Sequence, residues 1–228
     1  NNQRMARTQS DRPFSALCDT FQKRMSDLRI PGATLGILHN GVEHFAGFGV
    51  TSLDNPLPVT PDTLFQCGSI SKTILGTAAM RMVDEGAIDL DAPIRRYLPE
   101  FALRDEQAAA GATMRHLLTH TGGWLGDHFN DFGFGADAIA QIVAEMATLP
   151  QWTPLGQQWS YNNVGFAAAA RVMERVAGQP YEDIVRQKVF EPLGMTHSFF
   201  FPTEVMVRRF AAGHNTVNGQ AHVAVPWE

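Results

Sequence analysis

A serine and a lysine stand three residues apart, at Ser69 and Lys72, where a long apolar stretch begins. Residues three apart on a helix share one face, so this spacing brings Oγ and Nζ into contact range. A serine hydroxyl is a weak nucleophile at neutral pH and needs a base beside it, a role that lysine can fill. Residues 73–80 carry no other charge, and the chain has few lysines. The pattern predicts a serine nucleophile whose own backbone N–H faces the developing oxyanion. The alternative is a surface lysine near a capping serine.

A second polar group follows at Tyr161-Asn162-Asn163. A tyrosine beside Lys72 can take the proton of Ser69 and pass it to a leaving group. The amide of Asn163 can bond both the lysine and a substrate amide, so we expect it to bind substrate. The alternative is a loop-to-helix junction, where asparagine is a common N-cap. Whether Lys72 or Tyr161 is the general base is a question of coupled protonation and stays open.

The histidines offer two competing schemes, and we reject both. His116 and His120 lie four apart, as zinc ligands do, but no glutamate completes an H-E-x-x-H motif and no third ligand stands out. We interpret them as structural residues and expect neither a metal nor another cofactor. A Ser-His-Asp triad on an α/β-hydrolase fold is also rejected, because the chain contains no G-x-S-x-G motif.

Apolar spacing and turn residues predict the elements that position these groups. A helix over residues 14–28 precedes a hairpin, residues 33–38 and 42–50, around Asn40-Gly41. Helices are then predicted over residues 69–84, 93–97, 114–120, 136–149, 162–177 and 181–190. After Ser198 the pattern weakens and indicates a return to strands. We therefore expect the first part of an α/β lobe at 12–66, a mainly helical lobe at 67–198, and the return to the first lobe at 199–228.

Composition excludes several classes of function. The chain has 228 residues, 44% of them hydrophobic, and a net charge of −5, which suits one large domain or two small interlocked ones. The sequence contains no basic run of the kind that indicates nucleic-acid binding. It also contains no apolar run of about 18 residues, which would indicate a membrane span. The two cysteines, Cys18 and Cys67, are predicted to be free thiols, with a single bridge as the alternative. The polar N-terminus is compatible with a cytoplasmic protein or with a secreted or periplasmic one whose signal peptide has been removed.

Ser69-Ile70-Ser71-Lys72 followed by Tyr161-Asn162-Asn163 resembles the serine β-lactamase and penicillin-binding-protein superfamily. The second motif resembles the branch with class C β-lactamases, D,D-peptidases, D-aminopeptidases and β-lactamase-like esterases. Four further segments look like this family: FQCG at 65–68, IDLDAP at 88–93, HLLTHTGG at 116–123 and VFEPLGM at 189–195. The resemblance implies an α/β (α+β) fold of the β-lactamase/transpeptidase type, with a helical lobe inserted in an antiparallel-sheet lobe.

The resemblance also implies acyl-enzyme chemistry: Ser69 attacks, Lys72 and Tyr161 move the proton, and Asn163 binds substrate. We expect a serine hydrolase acting on a β-lactam, a D-amino-acid peptide or a small ester. The alternative is a penicillin-binding or sensor module that is acylated without turning over.

The family's third motif, Lys-Thr-Gly or His-x-Gly, does not follow Asn163. His39-Asn40-Gly41 and His120-Thr121-Gly122 match its letters but precede Tyr161. We therefore expect the last strands of the sheet to be missing here, and a companion chain or segment to complete it.

Overall fold

The computed structural model describes residues 12–128 and 130–224. They fall into two compact units, one made of residues up to 66 together with residues from 199 onward, the other of residues 67–198. The last four residues of the predicted 199–228 segment lie outside the described ranges. None of the described helices is both long and apolar enough to cross a membrane.

The elements follow in chain order. The α-helices are α1 (Arg12–Asp27), α2 (Ser71–Asp84), α3 (Glu106–Gly111), α4 (Met114–Leu118), α5 (Ala138–Glu145), α6 (Asn163–Ala177), α7 (Tyr181–Val185) and α8 (Pro202–Val205). The strands are β1 (Gly32–His39), β2 (Val42–Gly49), β3 (His214–Val217) and β4 (Gln220–Val223).

Two antiparallel hairpins form the strands of the first unit. β1 pairs with β2 around Asn40 and Gly41, whose φ values of 50° and 77° give the left-handed turn that an Asn-Gly pair favours. The predicted hairpin is thus confirmed. β3 pairs with β4 around Asn218 and Gly219, with φ values of 51° and 76°. The predicted return to strands is confirmed too, and the same turn signal was available in the sequence.

α1 packs on the first hairpin through two ring contacts. Phe14 lies 5.0 Å from the ring of His44, and Phe21 lies 5.2 Å from Phe48. The apolar stripe of α1 therefore covers one face of the strands, as its helical periodicity predicts.

The second unit is organised around α6, which packs against α2, α4, α5 and α7. Small residues on α6 allow close approach, since Ala168 and Ala169 are fully buried, while Val172 and Met173 fill the core between the helices. Asn162 caps the start of α6, and Gly178 ends it in the left-handed conformation at φ 68°. This rigid helix carries Asn163 on its first turn.

Several predicted helix limits differ from the structure. The helix predicted from Ser69 begins with a 3₁₀ turn at Gly68–Ile70, so α2 proper starts at Ser71. α4 ends at Leu118, and His120 has a left-handed φ of 58° that is incompatible with continuing the helix. The helix predicted at 136–149 is α5 followed by the 3₁₀ turn Met146–Thr148.

Two further differences concern other short helices. The segment predicted at 181–190 is α7 followed by the π-helical turn Arg186–Phe190. The short helix predicted at 93–97 is a 3₁₀ turn, Ile94–Arg96. α3 was not predicted, because six residues are too few to show an apolar period. Its N-cap is Asp105, whose carboxylate accepts a hydrogen bond from the backbone N–H of Ala108.

Candidate active site

Ser69 is exposed and sits on the 3₁₀ turn that leads into α2. The preceding Gly68 has φ +52°, a backbone conformation that favours glycine and turns the chain sharply into the helix. Lys72 follows on the first turn of α2 and is half-buried. Its Nζ donates a hydrogen bond to Ser69 Oγ at 3.2 Å. The predicted contact between the two side chains is therefore present.

Tyr161 reaches the same serine oxygen from a distant part of the chain. Its hydroxyl lies 2.5 Å from Ser69 Oγ, and Lys72 Nζ lies 4.7 Å from the centre of its ring. The hydrogen bond from Lys72, followed by the one with Ser69, lowers the pKa of the Tyr161 phenol below its usual value. The phenol is thus shifted toward the anionic form that can accept a proton.

Asn163 links Lys72 to a carboxylate that sequence reasoning missed. Its Oδ1 accepts a hydrogen bond from Lys72 Nζ at 2.6 Å, and its Nδ2 donates to Asp127 Oδ1 at 2.8 Å. The amide is held by both ends, with one N–H of Nδ2 left for another acceptor. Asp127 has no local spacing relation to Tyr161 or Asn163, so no local sequence pattern identifies it.

Asn162, between Tyr161 and Asn163, is the structural member of this motif. It is 2% exposed, accepts a hydrogen bond from the backbone N–H of Gly165 at 2.7 Å, and donates to the carbonyl of Trp124 at 3.0 Å. The N-cap alternative weighed for this motif thus holds for Asn162, while its neighbours on both sides contact the serine–lysine pair.

Gly126 lets two chain segments approach closely. A Cβ there would lie 2.6 Å from both the Cα of Asn162 and the carbonyl oxygen of Tyr161. Its own carbonyl accepts hydrogen bonds from the backbone N–H groups of Asn163 at 2.9 Å and Val164 at 3.3 Å. The segment before Asp127 is therefore locked against the start of α6.

Both histidines of the considered zinc pair are engaged in hydrogen bonds with the chain. His116 Nδ1 lies 2.9 Å from the hydroxyl of Thr113, the N-cap of α4, and His120 Nδ1 accepts a hydrogen bond from the backbone N–H of Asn162 at 2.9 Å. Burial lowers the pKa of each ring. Within residues 12–128 and 130–224, no three potential metal-ligating side chains cluster. Cys18 and Cys67 are free thiols, as predicted.

Comparison with known proteins supports the same family as the motifs. Residues 17–227 match the family model described as Beta-lactamase. The chain is 35% identical over 198 residues to penicillin-binding protein 4 of Amycolatopsis lactamdurans, covering 85% of this chain and 52% of that protein. It is 30% identical over 210 residues to esterase EstB of Burkholderia gladioli, covering 86% of this chain and 53% of the esterase.

A solved structure extends this likeness to the fold. The octameric penicillin-binding protein homologue from Pyrococcus abyssi superposes with a TM-score of 0.81 at 27% identity, over 92% of this chain and 50% of the other. The chain spans about half the length of the curated relatives it matches. The fold is thus of the β-lactamase/transpeptidase type, with mixed helix and strand content. Since the family model matches most of the chain and the motif residues meet around one serine oxygen, the chain belongs to the beta-lactamase family.

Proposed function

We propose that this chain carries the nucleophile and the proton-transfer groups of a serine hydrolase, which forms an acyl-enzyme on Ser69. The observation that carries the proposal is that Lys72 Nζ, at 3.2 Å, and the Tyr161 hydroxyl, at 2.5 Å, both contact Ser69 Oγ. Ser69 is exposed, so a substrate carbonyl can reach its hydroxyl. The substrate is a β-lactam, a D-amino-acid peptide or a small ester. The relatives named penicillin-binding protein and esterase support this range.

The first half-reaction transfers the acyl group to the serine. Ser69 Oγ attacks the substrate carbonyl carbon while its proton moves to the phenolate oxygen of Tyr161, which starts the step in its anionic form. The bond from that carbon to the leaving group then breaks, and the leaving atom takes the proton from Tyr161. The lowered pKa of Tyr161 supports its role as the proton acceptor, and a correctly placed acid–base group contributes about 10²–10⁴-fold in rate.

Lys72 supports this transfer as a hydrogen-bond donor. Its Nζ is held between Ser69 Oγ and Asn163 Oδ1, so the ammonium stays beside the phenol whose anion it stabilises. In the second half-reaction, water attacks the acyl carbon and gives its proton to Tyr161. The carbon–Oγ bond then breaks, and Oγ recovers that proton. Asn163 has one N–H left to bind a substrate amide, in line with its expected role.

The experiment combines two covalent probes with mass analysis. The protein is incubated with a fluorescent penicillin or a fluorophosphonate, and intact and peptide masses are taken beside a Ser69→Ala variant. Label on the peptide containing Ser69, lost in Ser69→Ala, is the expected result. Ser71→Ala is the matched control, because Ser71 is the first residue of α2 and lies two positions from Ser69. This variant should keep the label on Ser69. Absence of label on folded wild-type protein would contradict the proposal.

A penicillin-binding module without turnover is the second candidate, favoured by the relative named penicillin-binding protein 4. The two differ in the fate of the acyl group. A hydrolase loses the penicilloyl label from Ser69 within minutes and consumes excess penicillin. A binding module keeps a stoichiometric label over hours.

A further inference from the structure

His120 makes hydrogen bonds to both sequence neighbours of Tyr161. Its carbonyl accepts the backbone N–H of Ser160 at 2.9 Å, and its Nδ1 accepts the backbone N–H of Asn162, also at 2.9 Å. The residue before Tyr161 and the residue after it are thus fastened to the same histidine. His120 has φ +58°, an uncommon conformation for a residue other than glycine, and the two hydrogen bonds are made in that conformation.

The imidazole ring also packs directly against the tyrosine ring. The ring centres of His120 and Tyr161 lie 4.7 Å apart, with Phe166 at 5.0 Å and Trp159 edge-on at 5.8 Å. Phe166 is buried and belongs to α6, so His120 stands between a fixed helix and the phenol. Moving the imidazole would therefore remove one of the packing contacts of the tyrosine ring.

The hydrogen bond to Asn162 fixes which nitrogen carries the proton. Nδ1 accepts, so it has no proton, and a neutral ring must carry its proton on Nε2. The charged and titratable groups facing the ring are Lys72 on α2 and the Tyr161 phenol, since Trp159 and Phe166 do not titrate. Burial, and then the Lys72 charge, lower the pKa of His120 below its usual 6.5.

We propose that His120 is a positioning residue, which in its uncharged form with Nδ1 unprotonated holds the Tyr161 hydroxyl on Ser69. The proposal rests on the proposed serine hydrolase function. Protonation would put a donor at Nδ1 against the N–H of Asn162, so the hydrogen bond is lost and a second cation joins Lys72. The site then loosens as the ring titrates, and acylation slows at acid pH.

The first test compares two substitutions that separate the acceptor from the ring. His120→Asn places an amide oxygen near the position of Nδ1 and cannot gain a charge, whereas His120→Phe keeps an aromatic ring and has no acceptor. The rate of Ser69 labelling by fluorophosphonate is measured from pH 5 to 9. His197→Asn, at an exposed histidine of the same unit, is the matched control and should label at the wild-type rate.

We expect His120→Phe to label about 10-fold more slowly than wild type at pH 8, and His120→Asn to stay within about 3-fold, because the acceptor is restored. The ratio of the wild-type rate to the His120→Asn rate should fall as pH drops through the lowered pKa of His120, because that group is absent from the variant. A purely structural histidine would lower the melting temperature and leave these rates per folded molecule unchanged. Equal rates for wild type and His120→Phe would overturn the proposal.

The second test uses the wild-type protein, so it depends neither on the folding of a variant nor on the labelling of Ser69. Long-range ¹H–¹⁵N NMR of the histidine rings at pH 7.5 reports which nitrogen carries the proton. The proposal requires an Nε2–H tautomer for His120, recognised by its contacts with the rings of Tyr161 and Phe166. A proton on Nδ1 at this pH overturns it. Failure of the function itself looks different: wild-type Ser69 stays unlabelled at every pH, whatever the tautomer.

Discussion

The amide oxygen of Asn163 accepts a hydrogen bond from Lys72 Nζ over 2.6 Å, although 91 residues separate the two in sequence. The contact orients the lysine, because Nζ also donates to Ser69 Oγ at 3.2 Å and the two acceptors together fix its direction. The oxygen and the NH₂ group of an asparagine amide are similar in size, so a second contact is needed to prevent the Asn163 amide from rotating by half a turn and exchanging them. The Asp127 carboxylate, which accepts from Nδ2 at 2.8 Å, allows only the orientation with the oxygen toward Lys72.

Removing the Asp127 carboxylate should therefore slow acylation of Ser69. We expect Asp127→Ala to reduce the labelling rate about 10-fold, because the amide of Asn163 is then free to rotate and to present its NH₂ to the lysine. Asp127→Asn, whose carbonyl still accepts from Nδ2, should lose about 3-fold or less. The measurement is the fluorophosphonate labelling rate at pH 8. Wild-type labelling by Asp127→Ala would show that the carboxylate does not control the amide.

Tyr161→Phe tests the proton path. The hydroxyl is the group that contacts Ser69 Oγ at 2.5 Å, so its loss should reduce acylation by about 10²–10⁴-fold. In wild type, the Tyr161 pKa is lowered, first by the hydrogen bond from Lys72. The tyrosinate therefore becomes populated, and the rate rises, as pH increases through the lowered pKa of Tyr161.

This alkaline rise should be absent from the pH–rate profile of Tyr161→Phe. Tyr97→Phe is the matched control, because the Tyr97 hydroxyl accepts a hydrogen bond from the backbone N–H of Asp89 at 2.8 Å, remote from the serine motif in sequence. It should leave the profile unchanged. A Tyr161→Phe profile that keeps the rise would assign the titration to another group.

Sequence reasoning predicted the features of the fold and of the site whose signal is local. The Ser69–Lys72 spacing and the Asn40-Gly41 turn are each determined within a few residues, and both predicted arrangements are present. The start of α2 at Ser71 could not be predicted, because it depends on the backbone at Gly68, whose φ of +52° imposes a 3₁₀ turn first.

Tyr161 and Asn163 lie far from Ser69 in sequence and were predicted through their motif, but the contacts that two further residues make with this motif could not be predicted. Asp127 and His120 reach the motif through hydrogen bonds to Asn163 and Asn162, across 36 and 42 residues of sequence. Such contacts are set by how the segment after α4 packs on α6, and no periodicity or spacing encodes that packing. The spacing of His116 and His120 suggested zinc binding only as an alternative. In the structure, the His116 imidazole contacts Thr113, and the His120 imidazole accepts a hydrogen bond from the backbone N–H of Asn162.

Stability should fall as pH decreases through the range in which the half-buried His116 and His120 titrate. Burial lowers the folded-state pKa of both His116 and His120 below the unfolded value of 6.5. Between the folded pKa and 6.5 the unfolded chain binds more protons, so the free energy of unfolding declines as pH drops through this window and is flat above it. Urea unfolding at pH 7.5, 6.5 and 5.5 measures this slope.

His116→Gln should flatten part of that slope, because one of the two half-buried imidazoles is then absent. The same change at the exposed His222 should leave the slope as in wild type. A slope unaffected by His116→Gln would mean that the ring titrates equally in the folded and unfolded chain.

Gly126 and Gly76 should respond in opposite directions to the same substitution. At Gly126 an added Cβ would lie 2.6 Å from the backbone of both Tyr161 and Asn162, so these segments must separate. We expect Gly126→Ala to lose about 1–3 kcal/mol of unfolding free energy, the usual cost of overpacking, and to label Ser69 more slowly because Tyr161 shifts.

At Gly76, within α2, a Cβ would meet nothing within 4 Å, so Gly76→Ala should gain up to about 1 kcal/mol from helix propensity. Urea denaturation and the labelling rate are measured for both variants. If Gly126→Ala were as stable and as reactive as wild type, the close approach of the two segments would not be what positions the tyrosine.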